Sequence, residues 1–282
     1  MGKFSTTLEK GEQQVINTQN TVDEWLQPEK IEAVAPQSTN LTSASTKATT
    51  DNPWNARLFK AVNEDISLPE IFKVLRSRIL HPQNTEKSIK TVMITSASPK
   101  EGKSFIAANL GISLAQGMDQ HSLLVDCDLR RPSLAGLLGV SGAFGLVDYL
   151  KDDTPLPNLI VKTIIDKLSI IPSGRPPLNP SELLSSAKMM ALSDELSQRY
   201  DDRIIIFDTP PIMVAAETRV LAGLVDAVIL VVREGVSRKN EIQKTIDTIG
   251  KNKILGMVYN AQKSNVFDNA HSNKYEYYQH DA

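Results

Sequence analysis

Short apolar runs that alternate with helix-like stretches constrain the fold of this chain more than any other feature. Each run has the length of a strand and is rich in β-branched residues. Such runs predict strands of a mostly parallel sheet that is covered by helices on both faces. The sequence therefore predicts an α/β fold. The predicted strands are 91–95, 122–126, 168–172, 203–208, 226–232 and 254–260, and the clearest helices are 103–117, 181–199 and 237–250.

The turn after the first strand ends in Gly-Lys-Ser and leads directly into a helix. Such a turn lets backbone N–H groups and the helix N-terminus surround phosphates. We therefore predict an ATP-binding loop, in which Lys103 reaches the β and γ phosphates and Ser104 ligates Mg²⁺. The common pattern has glycine in place of Ala97 and a small residue in place of Lys100, and a chance tripeptide in an ordinary turn is the alternative. The predicted nucleotide contacts are Ser98, Pro99, Lys100, Glu101, Gly102, Lys103, Ser104 and Phe105.

Three aspartates stand at the ends of two predicted strands, on the edge of the sheet that holds this loop. Asp126 and Asp128 are alternate residues whose side chains point the same way, and Asp208 ends the strand 203–208. Carboxylates there can position Mg²⁺ and its waters, and one can accept a proton from an attacking hydroxyl. A helix cap or a turn is the alternative role. We expect Cys127 to point the opposite way as a small buried residue.

A further helix is predicted over 67–80, ahead of the first strand. Ser67 and Glu70 form a capping box at its start. Glu70, Lys73 and Arg76 lie three residues apart, on a charged stripe separate from the apolar one. The side chains expected to face the core are Leu68, Phe72, Leu75 and Ile79.

The two ends of the chain differ from the α/β region. Residues 1–60 are rich in Ser, Thr, Asn and Gln, and such a segment cannot bury enough apolar surface to fold, so we expect a disordered arm. Residues 61–264 are expected to form the folded domain, and residues 265–282 a flexible tail. A disordered tail normally lacks aromatic residues, so a tyrosine cluster there indicates modification or docking on a neighbour. The clustered tyrosines are Tyr275, Tyr277 and Tyr278.

Composition excludes several classes of protein. The 31 basic and 33 acidic residues leave a net charge of −2, which does not fit a non-specific nucleic-acid binder. A single cysteine rules out an intramolecular disulfide and fits a reducing cytosol. The apolar runs are well short of the roughly 18 residues of a membrane helix, and the first residues lack the apolar core of a secretory signal. We therefore expect a cytosolic protein that reaches a membrane only through a partner.

These motifs together resemble those of the bacterial tyrosine kinases of the P-loop type, the autokinases of exopolysaccharide and capsule synthesis. SASPKEGKS resembles Walker A, LLVDCDLR the second acidic motif (Walker A′) and IIIFDTPP Walker B. The segment 171–184 resembles a loop and helix of the family, with Asn179, Pro180 and Glu182 as N-cap, N1 and N3. The resemblance covers residues 64–282 and extends to the cytosolic, separate-kinase form associated with exosortase loci. It implies a P-loop fold of the MinD/ParA-like type.

The resemblance also implies a function. The chain would transfer phosphate from ATP to its own tyrosines at 275, 277 and 278, in trans within an oligomer, and so regulate exopolysaccharide synthesis and export. Asp126 would activate the tyrosine hydroxyl, while Asp128 and Asp208 would support the metal shell. The catalytic residues would be Lys103, Asp126, Asp128 and Asp208, and the metal ligands Ser104, Asp126 and Asp208.

Assembly and partners follow from the same resemblance. The family's ring-forming helix motif, Glu-x-x-Arg-x-x-Arg, matches Glu70 and Arg76 but has Lys73 at its middle position. It implies a homo-oligomeric ring, and a solvated helix face is the alternative. An activating membrane polysaccharide co-polymerase, which residues 1–60 are candidates to dock, and a tyrosine phosphatase are the implied partners. The chain would thus be cytoplasmic and peripheral at the inner face of the membrane.

Asn260 should end a strand on the loop's edge of the sheet and touch the adenine. From there 15 residues lead to Tyr275, a reach of at most about 50 Å.

Two other functions stay open. An ATPase switch of the MinD/ParA-like type usually has a lysine at the second position of the loop, where this chain has Ser98. An adaptor that binds ATP with little turnover is the other, and Ala97 and Lys100 favour it.

Overall fold

A mostly parallel sheet forms the centre of the structure, a computed structural model that describes residues 54–56, 58, 62, 67–82, 88–200 and 202–261. Its strands are β1 (Thr91–Ser96), β2 (His121–Asp126), β3 (Val161–Lys162), β4 (Leu168–Ile171), β5 (Arg203–Asp208), β6 (Ala227–Arg233) and β7 (Ile254–Asn260). Within the described residues the strand order is β3-β4-β2-β5-β1-β6-β7. All neighbours are parallel except β3 and β4. The predicted sheet is confirmed, each predicted strand ending within one residue of its observed limit.

Helices cover both faces of the sheet. They are α1 (Ser67–Leu80), α2 (Lys103–Ala115), α3 (Leu134–Leu138), α4 (Leu146–Asp152), α5 (Pro180–Leu184), α6 (Ala187–Arg199), α7 (Ala216–Leu224) and α8 (Lys239–Ile249), with 3-10 turns at Leu156–Asn158 and Lys251–Lys253. Val92 and Ile94 pack in one apolar cluster with α1, α2 and α3, whereas Met93 packs in a second cluster with α4, α6 and α7. This alternation shows that β1 is buried on both faces.

The helix predicted over 181–199 is wrong as a single element. It is divided into α5 and α6, because Ser186 accepts a hydrogen bond from the Met189 N–H and so caps a new helix. Asn179 occupies the N-cap of α5 and Pro180 its first position, as expected, but the Asn179 side chain makes no capping hydrogen bond.

The helix predicted over 67–80 is confirmed as α1. Phe72 and Ile79 are buried and Leu75 packs against the same cluster, while the side chains of Ser67 and Leu68 lie outside the described residues. α1 packs on α2, and Arg76 Nη1 donates a hydrogen bond to the Ser113 carbonyl oxygen at 2.6 Å.

The charged stripe on α1 is therefore divided. Lys73 and Glu70 form an exposed ion pair, whereas Arg76 is partly buried and bonded to its own chain. The assignment of these three residues to an oligomer interface stays a prediction.

Parallel strands bring the predicted site residues to one edge of the sheet. Asp126 of β2 lies opposite Asp208 of β5 in the strand register. β5 also pairs with β1, which ends at Ser96, where the Gly-Lys-Ser turn begins. β7 ends at Asn260 on the same edge.

Both predicted ends of the chain lie outside the described residues. This applies to the arm over residues 1–60, apart from its last described positions, and to the tyrosines at 275, 277 and 278 in the tail. None of the helices in the described part of the chain combines the length and the apolar character needed to cross a bilayer.

Candidate functional site

The loop between β1 and α2 turns through two residues with left-handed backbone conformations. Gly102 has φ 99° and Lys100 has φ 65°. A Cβ atom on Gly102 would lie 2.1 Å from Asn260 Nδ2, so another residue would displace that amide and also strain the backbone. Lys100 adopts a conformation that costs a residue with a Cβ atom about 1 kcal/mol, so glycine would fit this position without that cost. Ala97, where the common pattern has glycine, is buried.

Side chains from β6 and β7 hold the main chain of this loop. Arg233 Nη1 donates to the Lys100 carbonyl oxygen at 2.8 Å, and Asn260 Nδ2 donates to the Glu101 carbonyl oxygen at 2.7 Å. Asn260 thus lies at the loop, where it was expected, but its amide binds the loop itself. Its contact with adenine stays a prediction.

Glu101 and Ser98 connect the same loop to the region around α8. Glu101 is fully buried and accepts a hydrogen bond from the Ser237 hydroxyl. The Ser98 hydroxyl donates to Glu241 Oε2 at 3.1 Å. Of the other predicted nucleotide contacts, Pro99 is exposed and Phe105 is partly buried against the core. The loop is therefore fixed before any nucleotide arrives.

Lys103 lies between the loop and the acidic residues. It begins α2 and is buried. Its ammonium charge acts to lower the pKa of both Asp128 and Asp208. Lys103 thus lies at the edge of the sheet where Asp126 and Asp208 end their strands.

Asp208 is fully buried, and neither of its carboxylate oxygens has a hydrogen-bond partner among the described residues. Burial raises the pKa of Asp208 to about 7, while the nearby Ser104 hydroxyl and Lys103 ammonium act in the opposite direction. Buried polar atoms without partners are rare in folded proteins and call for an explanation. Two carboxylate oxygens beside a hydroxyl suit a hard cation such as Mg²⁺.

Asp126 has the same position in the neighbouring strand but different surroundings. Its Oδ2 atom accepts hydrogen bonds from the N–H groups of Ser133 and Leu134, both at 3.1 Å. Its Oδ1 atom accepts one from the Asp128 N–H at 3.2 Å. Burial, and next the charge of Asp208, raise the pKa of Asp126 well above its usual value. Asp126 therefore caps the start of α3, the alternative role named for it in the sequence. Its Oδ1 atom still has one free acceptor position.

Asp128 and Cys127 complete the second acidic motif. Asp128 is partly exposed, and burial raises its pKa while Lys103 and the N–H groups of Arg131 and Arg130 act to lower it. Cys127 is fully buried in the apolar cluster on the α4 side, as predicted. In the part of the chain that the structure describes, no three His, Cys, Asp or Glu side chains are arranged as metal ligands. The predicted Mg²⁺ ligands are two of the three carboxylates at this edge, those of Asp126 and Asp208, together with the Ser104 hydroxyl, and Mg²⁺ in phosphate-transferring sites needs no more from the protein.

One group of residues at this edge was missed by sequence reasoning. Arg130, Ser181 and Glu217 bond to one another, and Glu217 is only 1% exposed. The motif around Asp128 points to Arg130, but nothing in the sequence indicates its partners, because Glu217 lies 87 residues further along the chain.

Comparison with known proteins adds independent information. No family model matches the chain. It is 35% identical to tyrosine-protein kinase YwqD of Bacillus subtilis over 206 residues, and this aligned region covers 72% of the chain and 85% of YwqD. It is 30% identical to tyrosine-protein kinase Wzc of Salmonella typhimurium over 194 residues, and this aligned region covers 68% of the chain and 26% of Wzc. The kinase domain of Escherichia coli tyrosine kinase ETK superposes with a TM-score of 0.65 at 31% identity, covering 73% of this chain and 82% of that one.

Proposed function

The chain belongs to the bacterial tyrosine-protein kinases, and we propose that it transfers the γ-phosphate of ATP to tyrosines in its own C-terminal tail. The kinase interpretation is therefore favoured over an ATPase switch that modifies no protein. Through this reaction the protein regulates exopolysaccharide synthesis and export.

The observation that carries the proposal is the buried Asp208 carboxylate, which has no hydrogen-bond partner in the described structure. A buried charge without a partner destabilises the fold unless a ligand or a proton compensates it. The Gly-Lys-Ser loop lies at the same edge of the sheet. Ser104 and Asp208 would hold Mg²⁺, which when bound neutralises charge on the phosphates. This requirement explains why the carboxylate is left without a partner.

The other polar residues at this edge have separate roles in the proposed reaction. The backbone N–H groups of residues 98–104 and the Lys103 ammonium bind and orient the phosphates. Asp126 accepts the proton of the tyrosine hydroxyl through Oδ1, which has a single hydrogen bond. Asp128 supports the metal shell from the partly exposed side.

The substrate tyrosines are Tyr275, Tyr277 and Tyr278. The last strand ends at Asn260 beside the nucleotide loop, and the 15 residues that follow span at most about 50 Å. The tail can therefore enter the site of its own chain or of a neighbour. We propose transfer between neighbours in a homo-oligomer that assembles through the exposed Glu70 and Lys73 side of α1.

A membrane partner completes the proposal. The match to Wzc covers a part of a much longer chain, so a kinase unit of this kind also occurs joined to other protein segments. We propose that a membrane polysaccharide co-polymerase supplies such a segment as a separate activator, with residues 1–60 as its docking arm. The kinase would then act in the cytoplasm at the inner face of the membrane, and a tyrosine phosphatase would reverse the modification.

Phosphosite mapping after incubation with Mg-ATP tests the proposal, with and without a candidate co-polymerase segment. Phosphate is expected on Tyr275, Tyr277 or Tyr278 and absent from Lys103→Met. ATP hydrolysis without phosphotyrosine, even with the activator, would contradict it.

A mixing experiment separates transfer between chains from transfer within one chain. An active copy with all three tail tyrosines changed to phenylalanine is combined with the Lys103→Met copy, which keeps its tail. Phosphate on the inactive copy is expected. A tail that is modified only in the intact wild-type chain would show that transfer occurs within one chain.

A further inference from the structure

Three side chains form a closed group where the loop after β2 meets α5 and α7. Arg130 donates to Glu217 Oε1 from Nη2 at 3.0 Å and from Nε at 3.3 Å. Arg130 Nη2 also donates to the Ser181 hydroxyl at 2.8 Å, and that hydroxyl donates to Glu217 Oε2 at 3.0 Å. Both carboxylate oxygens of Glu217 and two nitrogens of the guanidinium are thus engaged.

Glu217 is ionised in this group. Burial acts to raise the pKa of Glu217, but hydrogen bonds from its own backbone N–H, from Arg130 and from Ser181 outweigh burial and hold the pKa below its usual value. The carboxylate is 1% exposed, whereas the Arg130 side chain is 49% exposed. Removing Arg130 would leave the buried Glu217 charge uncompensated, so the two side chains hold each other in place.

Arg130 belongs to the same loop that surrounds the first two aspartates. Asp126 accepts hydrogen bonds from the N–H groups of Ser133 and Leu134, and Asp128 accepts one from the Arg131 N–H at 3.1 Å. The position of both carboxylates is therefore set by the course of this loop. Among the described residues, the Arg130 side chain attaches the loop to helices outside it.

Glu217 belongs to the segment that follows Asp208. It is the second residue of α7, and the neighbouring Thr218 hydroxyl donates to the Pro210 carbonyl oxygen at 3.3 Å. The ion pair between Arg130 and Glu217 consequently joins the chain segments that follow Asp126 and Asp208.

We propose that Glu217 is a positioning residue for phosphate transfer. By holding Arg130, it fixes the loop that carries Asp126 and Asp128 relative to Asp208, and so fixes the spacing of the three carboxylates. This inference rests on the proposed function, in which those aspartates serve transfer to tyrosine. Glu217 does not touch the substrate, so its loss affects the transfer step and the Mg²⁺ requirement more than the affinity for ATP.

Glu217→Gln in the full-length protein tests the proposal, because it keeps the shape of the side chain and removes its charge. We expect kcat for tyrosine phosphorylation to fall by about 10-fold to 100-fold, and the Mg²⁺ concentration for half-maximal rate to rise, as for supporting residues around metal sites. KM for ATP should stay within about twofold, since the nucleotide loop is held by β6 and β7. Glu217→Asp, which keeps the charge, should recover part of kcat.

Controls distinguish positioning from general stability. Glu195→Gln removes an exposed ion pair with Arg199 in α6 and should behave as the wild type. Arg130→Lys keeps the charge but cannot form the forked contact. It should lower kcat as Glu217→Gln does, and it serves as the test variant if Glu217→Gln does not fold.

Two results would overturn the inference: wild-type kcat and Mg²⁺ dependence in both variants, or lower thermal stability with unchanged kcat. If the wild-type protein itself forms no phosphotyrosine, the proposed function fails instead. The Mg²⁺ dependence of ADP binding then becomes the readout for Glu217, with the same expected shift.

Discussion

The segments that follow β2 and β5 leave the same edge of the sheet, but they differ in the hydrogen bonds they offer to the aspartate that ends each strand. Asp126 accepts three hydrogen bonds from backbone N–H groups of its own loop. Asp208, opposite it in the register, accepts none in the described structure although it is fully buried. The comparison shows that two aspartates at matching strand ends can differ in their hydrogen bonds, and it supports the proposal that Asp126 organises its loop while Asp208 binds a ligand.

The local sequence explains the difference. After β2 the chain turns back and starts α3 at Leu134, so N–H groups at the start of a helix face Asp126. After β5 come Pro210 and Pro211, which have no N–H group to donate. The next N–H groups are used elsewhere, since those of Thr209 and Ile212 bond to carbonyl oxygens of β1. Asp208 is thus left without donors by its neighbours in the sequence.

The largest effect is expected from Asp208→Asn. Phosphate transfer should fall by at least about 100-fold, because an amide cannot supply the charge at the transfer site. Stability without ligands should not fall, because the amide removes a charge whose burial outweighs the Ser104 hydroxyl and the Lys103 ammonium beside it. Tyrosine phosphorylation and thermal unfolding measure the two effects. A marked loss of stability would contradict the comparison, because it would give Asp208 a partner in the fold.

Asp126→Ala sharpens the contrast, because it should reduce both phosphate transfer and the stability of the fold. The loop after β2 loses the acceptor of three N–H groups, which should lower the free energy of unfolding by about 1–3 kcal/mol. Phosphorylation should fall as well. Urea denaturation of this variant beside Asp208→Asn measures the difference. Equal stability of the two variants would show that the backbone hydrogen bonds of Asp126 contribute nothing to folding.

The pKa of Asp208 predicts a pH dependence with a definite sign. Burial raises this pKa to about 7 from 3.8, so between these values the folded state binds a proton that the unfolded state has released. The stability of the wild-type protein should then decrease, relative to Asp208→Asn, as pH rises from about 4 to 7. Chemical denaturation of both proteins at pH 5 and pH 8 measures this. A pH-independent difference between them would contradict the raised pKa.

Asp128→Asn should have the smallest effect. Asp128 is partly exposed, and its Oδ1 atom accepts a single hydrogen bond at 3.1 Å from the Arg131 N–H, which the amide oxygen of asparagine can also accept. We expect a change in unfolding free energy within about 0.5 kcal/mol and a smaller loss of transfer than for Asp208→Asn. Phosphorylation rates of both variants, measured together, check the order. A larger loss for Asp128→Asn would indicate that the metal is bound by the loop after β2 rather than by Asp208.

The sequence predicted what depends on local patterns. The strands that end at Asp126 and Asp208 were found because continuous apolar runs mark buried strands. The Gly-Lys-Ser turn was found because its geometry needs those residues. β3 was missed because two residues cannot show a period, and α5 and α6 were joined because Ser186 interrupts the helical pattern without breaking it.

Contacts between distant parts of the chain could not be predicted. The partners of Arg130 lie on α5 and α7, and the Asn260 amide binds a loop 159 residues earlier. The same holds for Arg76, which seemed free on a charged helix face and instead bonds to the Ser113 carbonyl oxygen of α2. A charged residue at helical spacing does not reveal whether it serves its own chain or a neighbour.

The Mg²⁺ dependence of ADP affinity in the wild-type protein, Asp208→Asn and Asp126→Asn tests the division between the two aspartates most directly. ADP binding is measured by calorimetry with Mg²⁺ and with a chelator, so the metal contribution is obtained without any turnover. We predict that Mg²⁺ strengthens ADP binding to the wild type, that Asp208→Asn removes most of this gain, and that Asp126→Asn keeps the larger part of it. An undiminished gain in Asp208→Asn would contradict the account, because it would show that the Asp208 carboxylate does not bind Mg²⁺.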